Sequence, residues 1–377
     1  TINMNSKNQL EKYHFKCLEC GRKAEPSVFT LKCTFNDCNG VFDIVYDNSI
    51  QQYFPNMPIE NFDRLFLGEG NTQVLNFPEY EKEFNLKGFW MKLENISPTG
   101  SFKDRGSATL INAALNESVL EFVEDSSGNA GASIAAYAAK AGMNSHIFVP
   151  KNTPQVKIDQ IRIYGSNIHL IEGPRQSSTI AAQEFSKNNG LIYLSHNYSP
   201  YFCEGMKYFS YEVYENFNNE ITDIVVPVGN GSLLIGCFKG YKELKSSSQI
   251  EEIPRLHCVQ AENFNPIESK INNKKWISNS SKASTIAGGI AVSEPPRKNQ
   301  VVQAVLDSNG SAVSVNDENI SKWHKKLAQS GVLVEPTCAA VIAGVEKLRE
   351  IGELSSNSKV LVPLTGSGLK DLKSFDI

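Results

Sequence analysis

No apolar run in this chain reaches the ~18 to 20 residues that a membrane-crossing helix needs. Lys140 interrupts the alanine-rich stretch, and Asn230 with its flanking glycines interrupts the run that starts at Ile224. Residues 1–16 are polar with scattered charge and lack the apolar core of a signal peptide, so a soluble cytoplasmic protein with no membrane partner is expected. A basic excess is missing too: 37 Lys and Arg against 41 Asp and Glu leave a formal charge of −4, which gives nucleic acid no electrostatic handle. Internal repeats and long low-complexity segments are absent; only 246–248 and 278–281 read as serine-rich breaks. What is present, 41% hydrophobic and 21% charged over 377 residues, is globular composition long enough for one large or two medium cores.

Cysteine usage splits in two. Cys203, Cys237, Cys258 and Cys338 stand singly and read as core fillers. Cys17, Cys20, Cys33 and Cys38 instead follow CxxC, a gap of twelve and CxxxxC, with Gly21 and Gly40 allowing a tight turn after each pair. Two knuckles joined across a β-prone stretch at 28–31 bring four thiolates to one tetrahedral ion, and no open ligand position is evident, so a structural Zn2+ is expected. A cluster that holds no ion is the alternative, because the second gap is longer than the commonest knuckle. Residues 1–50 are read accordingly as a zinc-ribbon-like module and 51–377 as the main body.

After Pro55 and Pro58 the pattern changes to strands and helices in rotation. Strands are expected at 87–93, 119–124, 145–149, 168–171, 222–228, 255–260 and 359–363, and helices at 101–115, 128–142, 155–164, 176–188 and 205–217. Such alternation predicts an α/β fold with parallel-rich sheets flanked by helices, and sites at the carboxyl ends of strands.

Four loops of small residues and hydroxyls fall at those strand ends. Ser97-Pro98-Thr99-Gly100-Ser101-Phe102-Lys103-Asp104-Arg105-Gly106 sets one lysine immediately ahead of an apolar helical pattern. The others are Ser126-Ser127-Gly128-Asn129-Ala130-Gly131, Gly229-Asn230-Gly231-Ser232 and Thr365-Gly366-Ser367-Gly368. A lysine packed at a strand-to-helix junction loses solvation, its pKa falls, and its amine can form a Schiff base; on an open helix flank it stays a hydrated cation. Glycine turns that open a helix offer several N–H groups and the positive end of the dipole to a phosphate or carboxylate. None is a nucleotide motif: Gly229-Asn230-Gly231 lacks a third glycine at the Rossmann spacing, and no lysine follows a glycine as a P-loop requires.

Taken in order, PTGSFKDRG at Pro98, SSGNAG at Ser126, VPVGNG at Val226, EPTxAA at Glu335 and LTGSGLKD at Leu364 resemble the threonine synthase-like branch of the fold type II, or tryptophan synthase β-like, pyridoxal-phosphate (PLP) enzymes. The likeness covers nearly the whole chain from Gly68 onward, and a cysteine-bearing N-terminal module is common in that branch. It implies a catalytic region over 51–377 with two lobes, the smaller and mobile one roughly 97–207, PLP in the cleft, and a homodimer. It further implies that Lys103 is the catalytic residue and carries PLP as a Schiff base, with Phe102 beside it. Gly229, Asn230, Gly231, Ser232 and Leu233 would grip the PLP phosphate, Asn129 the ring's 3′ oxygen, and Thr365 would face the pyridine nitrogen. A neutral hydroxyl there does not force that nitrogen to stay protonated, which favours elimination and replacement over transamination. Ser126, Ser127, Gly128 and Ala130 would take the substrate carboxylate, while Thr99, Ser101, His196 and Asn197 line the same small-molecule cavity. Glu335 and Cys338 would be structural neighbours of the cofactor. The implied reaction removes phosphate from O-phospho-L-homoserine and adds water at Cβ to give L-threonine. Alternatives are β-elimination or β-replacement on another amino acid, as in serine/threonine dehydratases and cysteine or cysteate synthases, and a non-catalytic PLP-binding homologue.

The chain departs from that branch where substrate phosphate is bound. Instead of an asparagine, a serine and an arginine ahead of an EGxK block it reads His196-Asn197-Tyr198-Ser199-Pro200-Tyr201-Phe202-Cys203-Glu204-Gly205-Met206-Lys207, with Phe202 in the arginine's slot. Losing a charge-assisted phosphate clamp weakens binding by roughly 2 to 3 kcal/mol, unless His196, Lys207 or Arg297 compensates or the leaving group is not phosphate. Thr72-Gln73-Val74 in place of TPL, and Ile286-Ala287-Gly288-Gly289-Ile290-Ala291, which is closer to dehydratase text, are smaller departures in the same direction.

Overall fold

Strand Asp223–Pro227 can be an almost continuous apolar run because both of its faces are covered: Ile224, Val225 and Val226 expose no surface in the computed structural model. The structure describes residues 13–47, 55–59, 65–126, 128–173, 175–277 and 283–375; Ser127, the 50/51 boundary and the break at 278–281 lie outside the described residues. The main sheet has six strands in the order Ala312–Val315, Arg255–Ala261, Asp223–Pro227, Lys359–Pro363, Gly88–Lys92, Val74–Asn76. All pair in parallel except the last, an antiparallel edge that the alternation does not foretell. A second sheet, wholly parallel, runs Asn167–Ile171, Asn144–Pro150, Glu121–Asp125, Ile192–Tyr193. A third, small and antiparallel, joins Lys23–Ala24, Tyr13–Cys17 and Phe42–Tyr46.

This is the expected α/β class, and its strand order explains where a site forms. Asp223–Pro227, Lys359–Pro363 and Gly88–Lys92 are neighbours, so the loops at their carboxyl ends, which carry Gly229, Thr365 and Lys103, converge. The Ser126 loop reaches the same region from the end of Glu121–Asp125, in the second sheet. A single buried cluster runs from Phe15, Phe42 and Ile44 of the small sheet through Tyr201 and Phe202 into the helix Lys103–Asn116.

Two expectations fail locally. Residues 28–31 form no strand: the Val28 N–H donates to Glu117 Oε1 at 2.7 Å and Thr30 N to Ser27 O at 3.1 Å, so the segment closes as a turn on another element instead of joining a ladder. The helix expected at 205–217 is two, Pro200–Gly205 and Tyr208–Phe217. At the junction Gly205 lies so close to the Lys103 helix that a Cβ would sit 2.0 Å from the Arg105 carbonyl oxygen.

Four buried charges lock the start of that helix. Arg105 Nε and Nη2 reach the two oxygens of Glu94 at 2.7 Å each, while Nη1 and Nη2 reach those of Glu212 at 2.6 and 2.7 Å. Lys92 Nζ adds a contact to Glu212 Oε2 at 2.7 Å and donates to the Thr72 carbonyl at 2.9 Å. Burial alone would raise the Glu212 carboxyl, but Arg105 and Lys92 hold it down at about 2. Because the folded value lies below the ordinary 4.5, the stability it contributes is full above about pH 4.5 and is lost as the pH falls toward 2. Glu212→Ala strands Lys92 and half of the Arg105 fork, and is expected to cost about 3 to 5 kcal/mol in urea unfolding at pH 7.

Candidate active site

The lysine loop is held by its own polar side chains. Asp104 accepts from Thr99 N at 2.8 Å, Thr99 Oγ1 at 2.5 Å and Ser133 Oγ at 2.6 Å, which commits the Thr99 hydroxyl to loop architecture. The loop is also stitched to the last one: Ser101 bridges Gly366, Phe102 N donates to Thr365 O at 3.2 Å, and Ser367 N to Gly100 O at 2.9 Å. Lys103 is thereby the first residue of its helix, with its amine 4.4 Å from the ring centre of Phe102 and 5.8 Å from that of Phe202. Two aromatic faces replace water, and this desolvation pulls its pKa from 10.5 to about 8 against the opposing influence of Cys203 and Glu335.

Across from it stands Asn129, at the start of the helix Asn129–Ala141. Its Nδ2 donates to Glu335 Oε2 at 2.6 Å, Glu335 Oε1 pairs with Lys157 at 3.1 Å, and Asn129 Oδ1 is buried without a partner. Ser126 Oγ accepts from Gly131 N at 3.0 Å and Gly128 N at 3.4 Å, and Ala130 is buried at the same turn. The Thr365 hydroxyl lies 3.6 Å from Cys338 Sγ, so Cys338 packs directly beneath it. The Gly229 loop opens the helix Ser232–Ser246, with Gly231 at φ +86 as the cap. A Cβ on Gly231 would fall 2.2 Å from Val301 Cγ2. Ser232 and Leu233 follow in the first turn, whose N–H groups have no helical acceptor and are available to an anion.

The remaining wall carries His196 and Asn197. Glu124 at the end of its strand accepts from His196 N at 3.1 Å and faces His196 Nδ1 at 2.7 Å. Burial, with the nearby Lys103 charge, pushes the imidazole down to about 3, so the ring is uncharged at pH 7, and burial pushes the Glu124 carboxyl well up. The His196 ring meets Phe202 edge-on at 5.5 Å, and Ser195 Oγ, Asn197 Oδ1, Ser199 Oγ and Ser101 Oγ are buried without partners. Lys207 points elsewhere: its amine is bound by Glu204 at 2.6 Å, by Glu243 at 2.7 Å and by the Asn56 carbonyl. Arg297 is held by Tyr198 O at 2.5 Å and Gln300 Oε1 at 2.9 Å. Of the three cations that could replace a phosphate clamp, Lys207 is therefore committed and His196 uncharged. The sequence reading leaves out Glu124 and Asp104; the signal for both is a carboxylate inside otherwise apolar or hydroxyl text.

In the small sheet the sulfurs of Cys17, Cys20, Cys33 and Cys38 all lie within 4.8 Å of one another, with Cys17 to Cys38 and Cys20 to Cys33 both at 3.7 Å. A tetrahedral ion with ~2.3 Å bonds to sulfur sets its ligands about 3.8 Å apart, so the donor set fits Zn2+.

The fold and the cleft are those of the fold type II enzymes. A family model described as pyridoxal-phosphate dependent enzyme matches residues 65–366. A threonine synthase of Methanocaldococcus jannaschii is 30% identical over 379 residues, covering 94% of this chain and 92% of that one. One from Halalkalibacterium halodurans is 32% identical over 325 residues, covering 85% and 89%. The structure of maize serine racemase superposes with a TM-score of 0.70 over 79% of this chain and 88% of that one, at 24% identity, and shows the same fold. The chain belongs to the pyridoxal-phosphate-dependent enzyme family, in its threonine synthase-like branch. The residues present fit PLP: a desolvated amine at Lys103, the first turn of the helix Ser232–Ser246 whose N–H groups are open to an anion, and an unpartnered Asn129 Oδ1. Pulsed acylation of the PLP-free protein should label Lys103 with a midpoint near pH 8, whereas exposed lysines titrate at ~10.4; peptide mass mapping across pH reads the difference.

Proposed function

We propose that the protein converts O-phospho-L-homoserine and water to L-threonine and phosphate. The observation that carries this is a primary amine lowered to about 8 against the rings of Phe102 and Phe202 and within electrostatic reach of Glu335, in a chain whose curated relatives are named threonine synthases. Lys103, Phe102, Asn129, Thr365 and residues 229–233 would hold PLP, which when bound supplies an electron sink for charge developing on substrate carbon. With PLP bound, the hydroxyl of Thr365 would face the pyridine nitrogen and, unlike a carboxylate, would not hold a proton on it.

The N–H groups and hydroxyls of 126–130 bind the substrate α-carboxylate at the start of their helix. Lys103 Nζ takes the proton from Cα and afterwards serves Cβ; an amine lowered to about 8 has a sizeable neutral fraction at pH 7 to 8, as a general base needs. Inward movement of the lobe at 97–207 excludes water until it is the reactant. Ser101, His196 and Asn197, with unpartnered buried polar atoms at Ser101 and Asn197, face the distal end of the substrate, while Thr99 supports the loop through Asp104. In this role the protein is a cytoplasmic homodimer, with one Zn2+ held by Cys17, Cys20, Cys33 and Cys38.

A second reading is favoured by Phe202, the uncharged His196 and the committed Lys207: the same lysine chemistry on an amino acid with no phosphate, by β-elimination or β-replacement. Purified protein incubated with O-phospho-L-homoserine, threonine, serine, O-acetylserine and O-phosphoserine separates the two. Threonine and phosphate from the first compound alone are expected; keto acid from serine or threonine establishes the second reading instead. Lys103→Ala should abolish either activity, by at least ~10⁴-fold.

A further inference from the structure

The short helix Pro200–Gly205 faces two ways. Toward the cleft it presents Phe202, packed against His196 and lying over the Lys103 amine. Toward the small antiparallel sheet it presents Tyr201 and Glu204. Phe15 packs edge-on against Tyr201 at 5.5 Å, and the Tyr13 hydroxyl lies 3.4 Å from that of Tyr201. Tyr46 OH donates to Glu204 Oε2 at 2.7 Å, and Lys239 bridges Asp43 Oδ1 and Glu204 Oε1 at 2.5 Å each. Lys32 sits 4.5 Å over the ring of Tyr198, two residues before the helix, and Ser27 Oγ donates at 2.7 Å to Glu117, just past the end of the Lys103 helix. Apart from the contacts of Phe202 in the cleft and the Lys239–Glu204 pair, which comes from the helix Ser232–Ser246, these contacts come from the segment folded around the four cysteines.

Taking Lys103 as the PLP lysine and the cysteines as Zn2+ ligands, we propose that the four-cysteine module is a positioning element of the catalytic cleft. The metal holds the small sheet, the sheet holds Pro200–Gly205 through Phe15, Asp43 and Tyr46, and the helix sets Phe202 against Lys103 and His196. The physical basis is size. Three short strands cannot bury enough apolar surface to fold alone, so in such modules the metal's binding free energy is the folding free energy. A helix of six residues has no independent stability either and takes its place from what packs on it. When the metal leaves, Glu204 loses its tyrosine donor and Lys239 its Asp43 partner, so Glu204 is left to Lys239 and Lys207, and the wall opposite the lysine loosens without any change in the lysine loop itself.

The test measures Zn2+ content, the PLP dissociation constant by absorbance titration, KM and kcat with O-phospho-L-homoserine, and thermal unfolding, all on the full chain. Cys20 is exposed, so Cys20→Ser removes a ligand with little effect on packing. That variant is expected to lose Zn2+ and bind PLP about tenfold more weakly, with KM rising more than kcat falls. Tyr46→Phe keeps all four thiols; it should retain one Zn2+ per chain and still weaken PLP binding about threefold, because it cuts the hydroxyl's links to Glu204, the Asn56 carbonyl and Lys207 and leaves the metal ligands intact. A module that merely stabilises the fold would lower the melting temperature in both variants and leave PLP affinity and KM at wild-type values, and that result overturns the proposal. If Cys20→Ser does not fold, Tyr46→Phe decides by the same criterion. A wild-type chain that binds no PLP, or no Zn2+, sinks the proposal together with the premise beneath it, and is told apart because the unmutated protein already fails.

Discussion

The Arg105 guanidinium, held between Glu94 and Glu212, is the contact on which the rest of the site depends. A helix that begins at Lys103 has unsatisfied N–H groups at its start and no helical turn before it to fix its direction. Two bidentate carboxylates, one from the turn after Gly88–Lys92 and one from Tyr208–Phe217, fix that direction from both sides. Four charges so deeply buried are costly, and only their mutual geometry offsets the desolvation. The consequence is a helix start that cannot slide, with the lysine two residues upstream of the arginine delivered to one place between Phe102 and Phe202.

Around that lysine the cleft is uncharged where charge would be harmful. Desolvation acts on Lys103, Glu124 and His196 alike, and in each it favours the neutral form. A neutral amine is a base, whereas a protonated histidine beside it would raise the cost of protonating that amine further. Burial and the Lys103 charge keep His196 neutral, while Glu124 orients the ring by engaging it at both the backbone N–H and Nδ1. Glu335, which keeps its place through Asn129 and Lys157, is the negative group that moderates the fall in the Lys103 pKa.

The parts of this arrangement that are legible in the sequence are those set by local rules. Small-residue loops between apolar strands and helical patterns mark the Lys103, Ser126, Gly229 and Thr365 turns, and parallel strands announce themselves as apolar runs because both faces are buried. What is not legible depends on partners distant in the chain. Residues 28–31 have the composition of a strand, yet Glu117 takes the Val28 N–H and a turn results. Glu124 reads as an ordinary acidic residue, and only the folded chain shows that it meets His196; for Glu335 the sequence suggests a place near the cofactor but not its bond to Asn129. Lys207, which sequence offers as a phosphate partner, is drawn off by Glu204 and Glu243, a competition between carboxylates that no spacing rule reveals.

Both kinds of constraint meet in the cleft. The cofactor side is built from loops tied within themselves, by Asp104 on Thr99, and to distant partners, by Gly231 against Val301 and by the Phe102–Thr365 and Ser367–Gly100 backbone bonds. The substrate side, 195–205, is built from one histidine, three partnerless polar side chains and a six-residue helix whose position is set by elements far away in sequence. A substitution in the first set disturbs backbone that PLP itself needs, while one in the second changes the wall facing the substrate and leaves the lysine loop standing. The Phe202 ring packs against His196 and Gly106, which makes this part of the wall aromatic where the family resemblance leads one to expect a cation. Phe202 couples the two sides, because it lies over the Lys103 amine and against His196, so the wall that faces the substrate also sets the solvation of the base.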